Sequence, residues 1–181
     1  MTDPKNVKVH ELIPEQLIKQ RVTELARQIS GDYAGRELLV VGILKGSWVF
    51  LADLVRQLTV PVVIDFMTVS SYGASTKTSG VVKIVLDLKC PLEGRDVLVV
   101  EDILDSGLTL AYMFKTLRLR KPRSLKLCVL LNKPARRQVE VTPDYQGFEV
   151  PDKFVVGYGA DWAERYRNLP YVGYVEPPDG K

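Results

Sequence analysis

Residues 38–44, Leu-Leu-Val-Val-Gly-Ile-Leu, form a continuous apolar run of strand length, and a strand with no polar face must be covered on both sides. Residues 97–100 make a second, shorter run of this kind, and residues 125–131 read as a further buried strand. Helical spacing lies between them. Residues 47–58 place Val49, Leu51, Leu54 and Leu58 behind Ser47 as an N-cap, and residues 108–119 place Leu110, Met113, Phe114 and Leu117 on one side before Pro122. An earlier helix over residues 15–29 aligns Ile18, Val22, Leu25 and Ile29, with Ser30-Gly31-Asp32 as its end. Apolar strands alternating with such helices predict an α/β fold, a mainly parallel sheet flanked by helices. Ligands of that architecture sit beyond the C-terminal ends of the strands.

The other segments are less regular. Residues 60–69 predict a strand interrupted by Asp65, residues 81–86 another, and 155–156 and 172–175 two short late ones. Residues 70–80, rich in Ser, Thr and Gly without a hydrophobic period, predict an exposed mobile loop that carries function. A chain of 181 residues suits one domain over residues 1–181. No apolar run approaches the roughly 20 residues of a bilayer span, and the N-terminus lacks the pattern of a secretory signal, so a cytoplasmic address is expected. Cys90 and Cys128 have no metal-ligand spacing, and Cys128 reads as core. The net charge of +3 is too small for a dedicated nucleic-acid binder but suits a local phosphate pocket. His10, the only histidine, lies near an expected frayed terminus, so acid–base chemistry falls to carboxylates and lysines.

One segment concentrates that chemistry. Glu101 and Asp102 emerge from the apolar strand, and Asp105-Ser106-Gly107-Leu108-Thr109 forms the turn into the next helix. A helix N-terminus offers unpaired amides and a positive dipole end, Gly107 allows close backbone approach, and Ser106 and Thr109 add hydroxyls, so the turn can cradle a phosphate. Ionised carboxylates only accept hydrogen bonds, which suits the vicinal hydroxyls of a ribose. By themselves Asp105 and Ser106 would read as a simple cap.

Four apolar residues, Glu-Asp, two apolar positions and then Asp-Ser-Gly-x-Thr resemble the phosphoribosyl diphosphate signature of the type I phosphoribosyltransferases. The resemblance runs from about residue 38 to 174 and is nearest to the bacterial hypoxanthine-guanine phosphoribosyltransferases. It implies that family's fold, with a small hood formed from the N- and C-terminal segments and a flexible active-site loop near residues 70–80. Leu44-Lys45-Gly46 resembles the short pyrophosphate loop, whose Lys-Gly type of peptide can be cis, and Ser71-Tyr72-Gly73 resembles the start of the flexible segment that closes over the site. By the same resemblance Lys133 bonds the purine 6-oxo oxygen, Phe154 stacks on the base and the Val155 backbone reads its edge. Asp161 lies near base and metal, and Arg167 contacts pyrophosphate. A lone Phe-Val-Val run would otherwise read as core, and a lone lysine as surface. Leu108 stands where some relatives carry lysine.

The implied reaction joins N9 of a 6-oxopurine to C1′ of phosphoribosyl diphosphate and releases pyrophosphate. Lys45, Gly46, Ser71, Tyr72 and Arg167 hold the diphosphate, and Glu101, Asp102 and Asp161 surround a magnesium ion. Asp105 manages the purine N7 proton. A homodimer or homotetramer is implied, with no membrane and no nucleic-acid partner expected. A nucleotide-sensing regulator that binds nucleic acid is the alternative on the same fold, disfavoured because about 37 residues before the first strong strand are too few for a winged-helix domain. Lys133 and the string from Phe154 to Asp161 disfavour an orotate or adenine enzyme, while xanthine stays open.

Overall fold

The apolar runs lack a polar face because their alternate residues enter two different cores. The computed structural model describes residues 7–71 and 82–176. Its elements in chain order are β1 (Val9–Ile13), α1 (Glu15–Asp32), β2 (Leu38–Leu44), α2 (Trp48–Val55), β3 (Val62–Ser71), β4 (Val82–Leu86), β5 (Asp96–Leu104), α3 (Leu108–Arg118), β6 (Ser124–Asn132), β7 (Tyr145–Glu149), β8 (Phe154–Val156) and β9 (Val172–Val175). Leu38 and Val40 of β2, with Leu98 and Val100 of β5, pack beneath α1 and α2. Leu39, Val41 and Ile43, with Val97 and Val99, pack beneath Leu110, Met113 and Leu117 of α3. Full burial of each such side chain is worth roughly 1.5–3 kcal/mol, so two stacked layers secure the sheet from both faces.

The six-stranded sheet has the order β4-β3-β2-β5-β6-β7, with every neighbouring pair parallel except β3 and β4. The predicted mainly parallel α/β architecture is therefore present. A separate antiparallel sheet, β1-β9-β8, joins segments from both ends of the chain.

Several local expectations need correction. α1 continues through Ser30-Gly31-Asp32, because tertiary partners hold residues that look like breakers. The buried Tyr33 donates its amide to the Ile29 carbonyl at 3.1 Å, Ser30 Oγ accepts from the Thr59 amide at 3.0 Å, and Asp32 accepts from the Tyr145 hydroxyl at 2.6 Å. Ser47 occupies the N-cap position of α2 but does not cap it; its buried hydroxyl donates to the Ile43 carbonyl at 2.6 Å. His10 lies within β1 and stacks on Tyr174 with ring centroids 5.1 Å apart, so that segment is not frayed. β5 runs past Val100 to Leu104, and β1 and β7 have no counterpart among the predicted strands. Cys128 is core, as expected. The predicted loop over residues 70–80 falls almost wholly outside the described residues.

Asp65, the residue that breaks the apolar pattern of β3, is 9% exposed and organises the segment after β4. Its carboxylate accepts from the amides of Phe66, Lys89 and Cys90, each at 2.8 Å. Burial penalises its charge, but these amides outweigh burial and hold the carboxyl below its ordinary pKa. A depressed folded pKa gives stability that is present above the unfolded value of 3.8 and lost as pH falls through the folded one. Asp65→Ala should therefore lower the unfolding free energy at pH 7 by about 2–3 kcal/mol in urea titrations, with a smaller deficit at pH 3.

Candidate active site

The site lies where three parallel strands end together. β2 and β5 pair only as far as Gly42 and Val100, whereas β5 continues alongside β6 to Leu104 and Asn132. Beyond the point where β2 and β5 part, a cavity of about 300 Å³ opens, and Lys45, Gly46, Glu101, Asp102, Asp105 and Arg167 are in its walls. The β2 loop turns through a cis peptide at Leu44-Lys45, one residue before the Lys45-Gly46 bond at which the resemblance located it. Position 46 must be glycine for a direct steric reason: a Cβ there would collide with the Asp102 carboxylate.

The turn after β5 uses the other special backbone conformation. Gly107 precedes α3 at φ +83°, a left-handed conformation that side chains rarely adopt, and its missing Cβ leaves room for the Val139 carbonyl. The amides of Gln138 and Val139 donate to the Ser106 carbonyl at 2.9 and 3.2 Å, strapping the turn from outside. Ser106, Gly107 and Thr109 line the cavity, and Leu108, half-buried, opens α3.

Inside, negative charge is crowded and underpaired. Glu101 Oε2 and Asp105 Oδ1 are buried without a hydrogen-bond partner among the described residues. Burial pushes the Glu101 carboxyl well above its ordinary pKa, and the Asp102 charge adds to the shift. Burial also raises Asp102 to about 6, against the opposing pull of nearby backbone amides and Arg167. Buried polar atoms are normally satisfied, so orphaned acceptors in a cavity wall mark a place for donors or cations supplied from outside.

A second cavity of about 260 Å³ shares Asp102, Ile103, Asp105 and Asp161 with the first. Lys133, only 5% exposed, lines it and donates from Nζ to the Lys153 carbonyl at 2.8 Å. Phe154 is 54% exposed and tilted against Trp162 at 6.3 Å, whereas Val155 and Val156 behind it are buried. The strand therefore divides, with two core residues and one aromatic face left open beside the cavity. Val155 is tied to Tyr174 through the β8–β9 ladder.

Cations occupy the rim of the first cavity. Arg167 donates to the Gly159 carbonyl at 2.8 Å and pairs with Asp161 at 2.8 Å. Lys45 pairs with Glu164 at 3.0 Å, and Arg167 reaches the same carboxylate oxygen at 3.3 Å. Of the residues singled out from sequence, Lys45, Gly46, Glu101, Asp102, Asp105, Ser106, Gly107, Thr109 and Arg167 converge on the first cavity. Lys133, Phe154 and Val155 converge on the second, and Asp161 borders both. Ser71 ends β3 and its side chain is not described; Tyr72 lies outside the described residues. Sequence reasoning missed Arg136, Lys153 and Glu164, none of which belongs to a recognisable catalytic pattern.

Comparison with known proteins gives a consistent family. Residues 8–162 match the phosphoribosyl transferase domain family. The hypoxanthine phosphoribosyltransferase of Salmonella typhimurium is 53% identical over 169 residues, covering 92% of this chain and 95% of that protein. The bifunctional protein TilS/HprT of Listeria monocytogenes is 53% identical over 166 residues, but this chain spans only 26% of its length. Among solved structures, a hypoxanthine-guanine phosphoribosyltransferase from Bacillus anthracis superposes with a TM-score of 0.90 at 48% identity, covering 94% of this chain and all of that one.

The raised carboxylates cost the fold stability. A carboxyl whose folded pKa exceeds its unfolded value binds more protons when folded, so stability falls as pH rises from about 3.8 towards about 6 for Asp102. Asp102→Asn should stabilise the ligand-free protein by about 1–2 kcal/mol at pH 7.5 and by much less at pH 4. Thermal unfolding at the two pH values checks the difference.

Proposed function

The chain belongs to the phosphoribosyl transferase family, and from that premise we propose that it is a purine salvage enzyme. It transfers the 5-phosphoribosyl group of phosphoribosyl diphosphate to hypoxanthine or guanine, giving IMP or GMP and pyrophosphate. The observation that carries this reading is the pair of adjoining cavities with a shared carboxylate wall: one lined by the turn that opens α3 and by cations, the other by a lysine and an open aromatic face. A reaction that joins a base to a sugar diphosphate needs two such compartments meeting at C1′.

In the first compartment the 106–109 turn receives the 5′-phosphate, and Lys45, Gly46, Ser71, Tyr72 and Arg167 hold the diphosphate. Glu101 and Asp102 orient the ribose hydroxyls, whose protons satisfy the orphaned Glu101 oxygen. In the second, Phe154 stacks on the purine and the Val155 backbone reads its edge. Lys133 donates to the 6-oxo oxygen; one of its three protons is committed to Lys153, which leaves two for a ligand. An amino group at that position could not accept, so adenine is refused. Asp105, whose buried oxygen between the compartments has no partner among the described residues, takes the N7 proton as N9 attacks C1′ and passes it to water once the nucleotide has formed.

Magnesium fits this donor set. Among the described residues no three acidic, His or Cys side chains gather as a closed metal nest. That suits an ion bound by one or two carboxylates while its remaining ligands come from substrate and water. Of Glu101, Asp102 and Asp161, one or two at a time would hold it, and when bound it would neutralise the charge of the leaving diphosphate. Closure of the predicted loop and of a hood built on β1-β9-β8 would keep water from the reacting centre.

No helix among the described residues is long and apolar enough to cross a membrane, and the cytoplasmic address belongs to the same proposal. The regulator reading has no support among the relatives compared; those from Salmonella typhimurium and Bacillus anthracis are named as phosphoribosyltransferases. A homodimer or homotetramer is supported by the outer part of β3, where Ile64 and Phe66 are 43% and 36% exposed, and by Leu86 of β4 at 41%. Thr68 and Leu86 are register partners, so these side chains extend along one face of the sheet's outer edge.

Purified protein with magnesium and phosphoribosyl diphosphate should convert hypoxanthine and guanine but not adenine, and chelation should abolish turnover. Asp105→Ala should lower kcat by about 10²–10⁴-fold with little change in the KM for phosphoribosyl diphosphate. Phe66→Glu should shift the protein to a smaller species in light scattering while its circular dichroism is retained.

A further inference from the structure

Glu164 holds a position that the proposed function leaves unused. Its Oε2 accepts from Lys45 Nζ at 3.0 Å and from Arg167 Nη2 at 3.3 Å. Two cations assigned to the diphosphate thus converge on one oxygen of the chain's own carboxylate, as they would on a diphosphate oxygen. Arg167 does not need this contact for its placement, because Asp161 holds the same Nη2 more closely, at 2.8 Å, and the Gly159 carbonyl holds Nη1 at 2.8 Å. Its Nε is buried without a partner among the described residues, so the group still has a donor to offer. Lys45 and Glu164 are each 65% exposed, and ion pairs between such side chains break at small cost. Glu164 is also well placed to leave. It sits at φ +63° in the tight turn between Trp162 and Arg165, anchored by its amide to Asp161 Oδ2 at 2.8 Å, so the side chain can swing while the backbone stays.

We infer that Glu164 is a resident counter-ion that occupies the diphosphate's place between Lys45 and Arg167 in the empty enzyme and is displaced when the diphosphate binds. Two charge contacts must be given up before the incoming anion gains its own, so affinity for phosphoribosyl diphosphate is set lower than the two cations alone would make it. The same exchange runs backwards at product release, when the returning carboxylate helps pyrophosphate to leave. A ligand that recognises this spot is an anion with adjacent oxygens and a divalent cation, which is the chemistry of both the substrate's diphosphate and the product. The inference rests on the assignment of Lys45 and Arg167 to the diphosphate.

The sign of one substitution separates this role from that of a buttress. Calorimetric titration of inorganic pyrophosphate with magnesium into wild-type protein, Glu164→Gln, Arg167→Ala and, as an equal change of net charge elsewhere, the exposed Glu93→Gln would measure it. Glu164→Gln should bind roughly threefold to tenfold more tightly than wild type, Glu93→Gln should match wild type, and the KM for phosphoribosyl diphosphate should fall while that for the base is unchanged. Weaker binding by Glu164→Gln would make Glu164 a support for the cations, and an equal gain in Glu93→Gln would reduce the effect to the general field; either overturns the inference while leaving the diphosphate site in place. If wild-type protein does not bind pyrophosphate, or Arg167→Ala binds it as well, the diphosphate assignment itself fails and this inference falls with it.

Discussion

Burial of carboxylates that the chain itself leaves underpaired is the constraint on which the rest of the site depends. Glu101 and Asp105 each present a buried oxygen without a partner among the described residues, and burial holds both Glu101 and Asp102 above their ordinary pKa. Such an arrangement costs the folded state energy, and it persists because β5 is locked between two apolar layers and two parallel neighbours. The strand has to carry these residues past the end of its contact with β2, since that is where the sheet opens. Gly46 then follows as a necessity, because the neighbouring loop can lie on Asp102 only without a side chain.

Charge is sorted by depth. Anions lie inside, at the strand ends, while Lys45 and Arg167 stand at the rim and are neutralised by Glu164 and Asp161. A substrate that carries its own anionic phosphates and brings a divalent cation complements both zones at once: its metal and hydroxyl protons meet the interior acceptors, and its diphosphate meets the rim. The same logic divides the base compartment, where a single buried ammonium and an exposed ring select for a flat heterocycle with an acceptor oxygen. The empty enzyme is thus prepared by its own ion pairs and orphaned oxygens.

Much of this was legible in the chain, for identifiable reasons. The run at 38–44 coincides with β2 because a strand buried on both faces has no competing period. The 105–109 turn was legible only within the whole string from residue 97 to 109, since Asp and Ser at a strand-to-helix junction alone read as a simple cap. Hydrophobicity ended β5 too early, since Glu101 and Asp102 read as loop, whereas the β6 ladder is made by backbone groups indifferent to the side chains. β1 and β7 escaped because each is short and mixed in polarity, and their order comes from partners distant in sequence. α1 outran its apparent breakers for the same reason. Glu164 carries no local signal at all; its contact with Lys45 spans 119 positions and exists only in the fold.

The central claim is that the two adjoining cavities receive the sugar diphosphate and the purine on either side of one carboxylate wall. A crystal structure of the protein with magnesium, phosphoribosyl diphosphate and an unreactive analogue of hypoxanthine lacking a nucleophilic N9 tests it most directly. The account predicts the 5′-phosphate on the 106–109 turn, the diphosphate between Lys45 and Arg167, and the ribose against Glu101 and Asp102. It also predicts the ring on Phe154 with its oxo oxygen on Lys133. A purine bound outside the cavity lined by Lys133 and Phe154, or a diphosphate held away from Lys45 and Arg167, would contradict it.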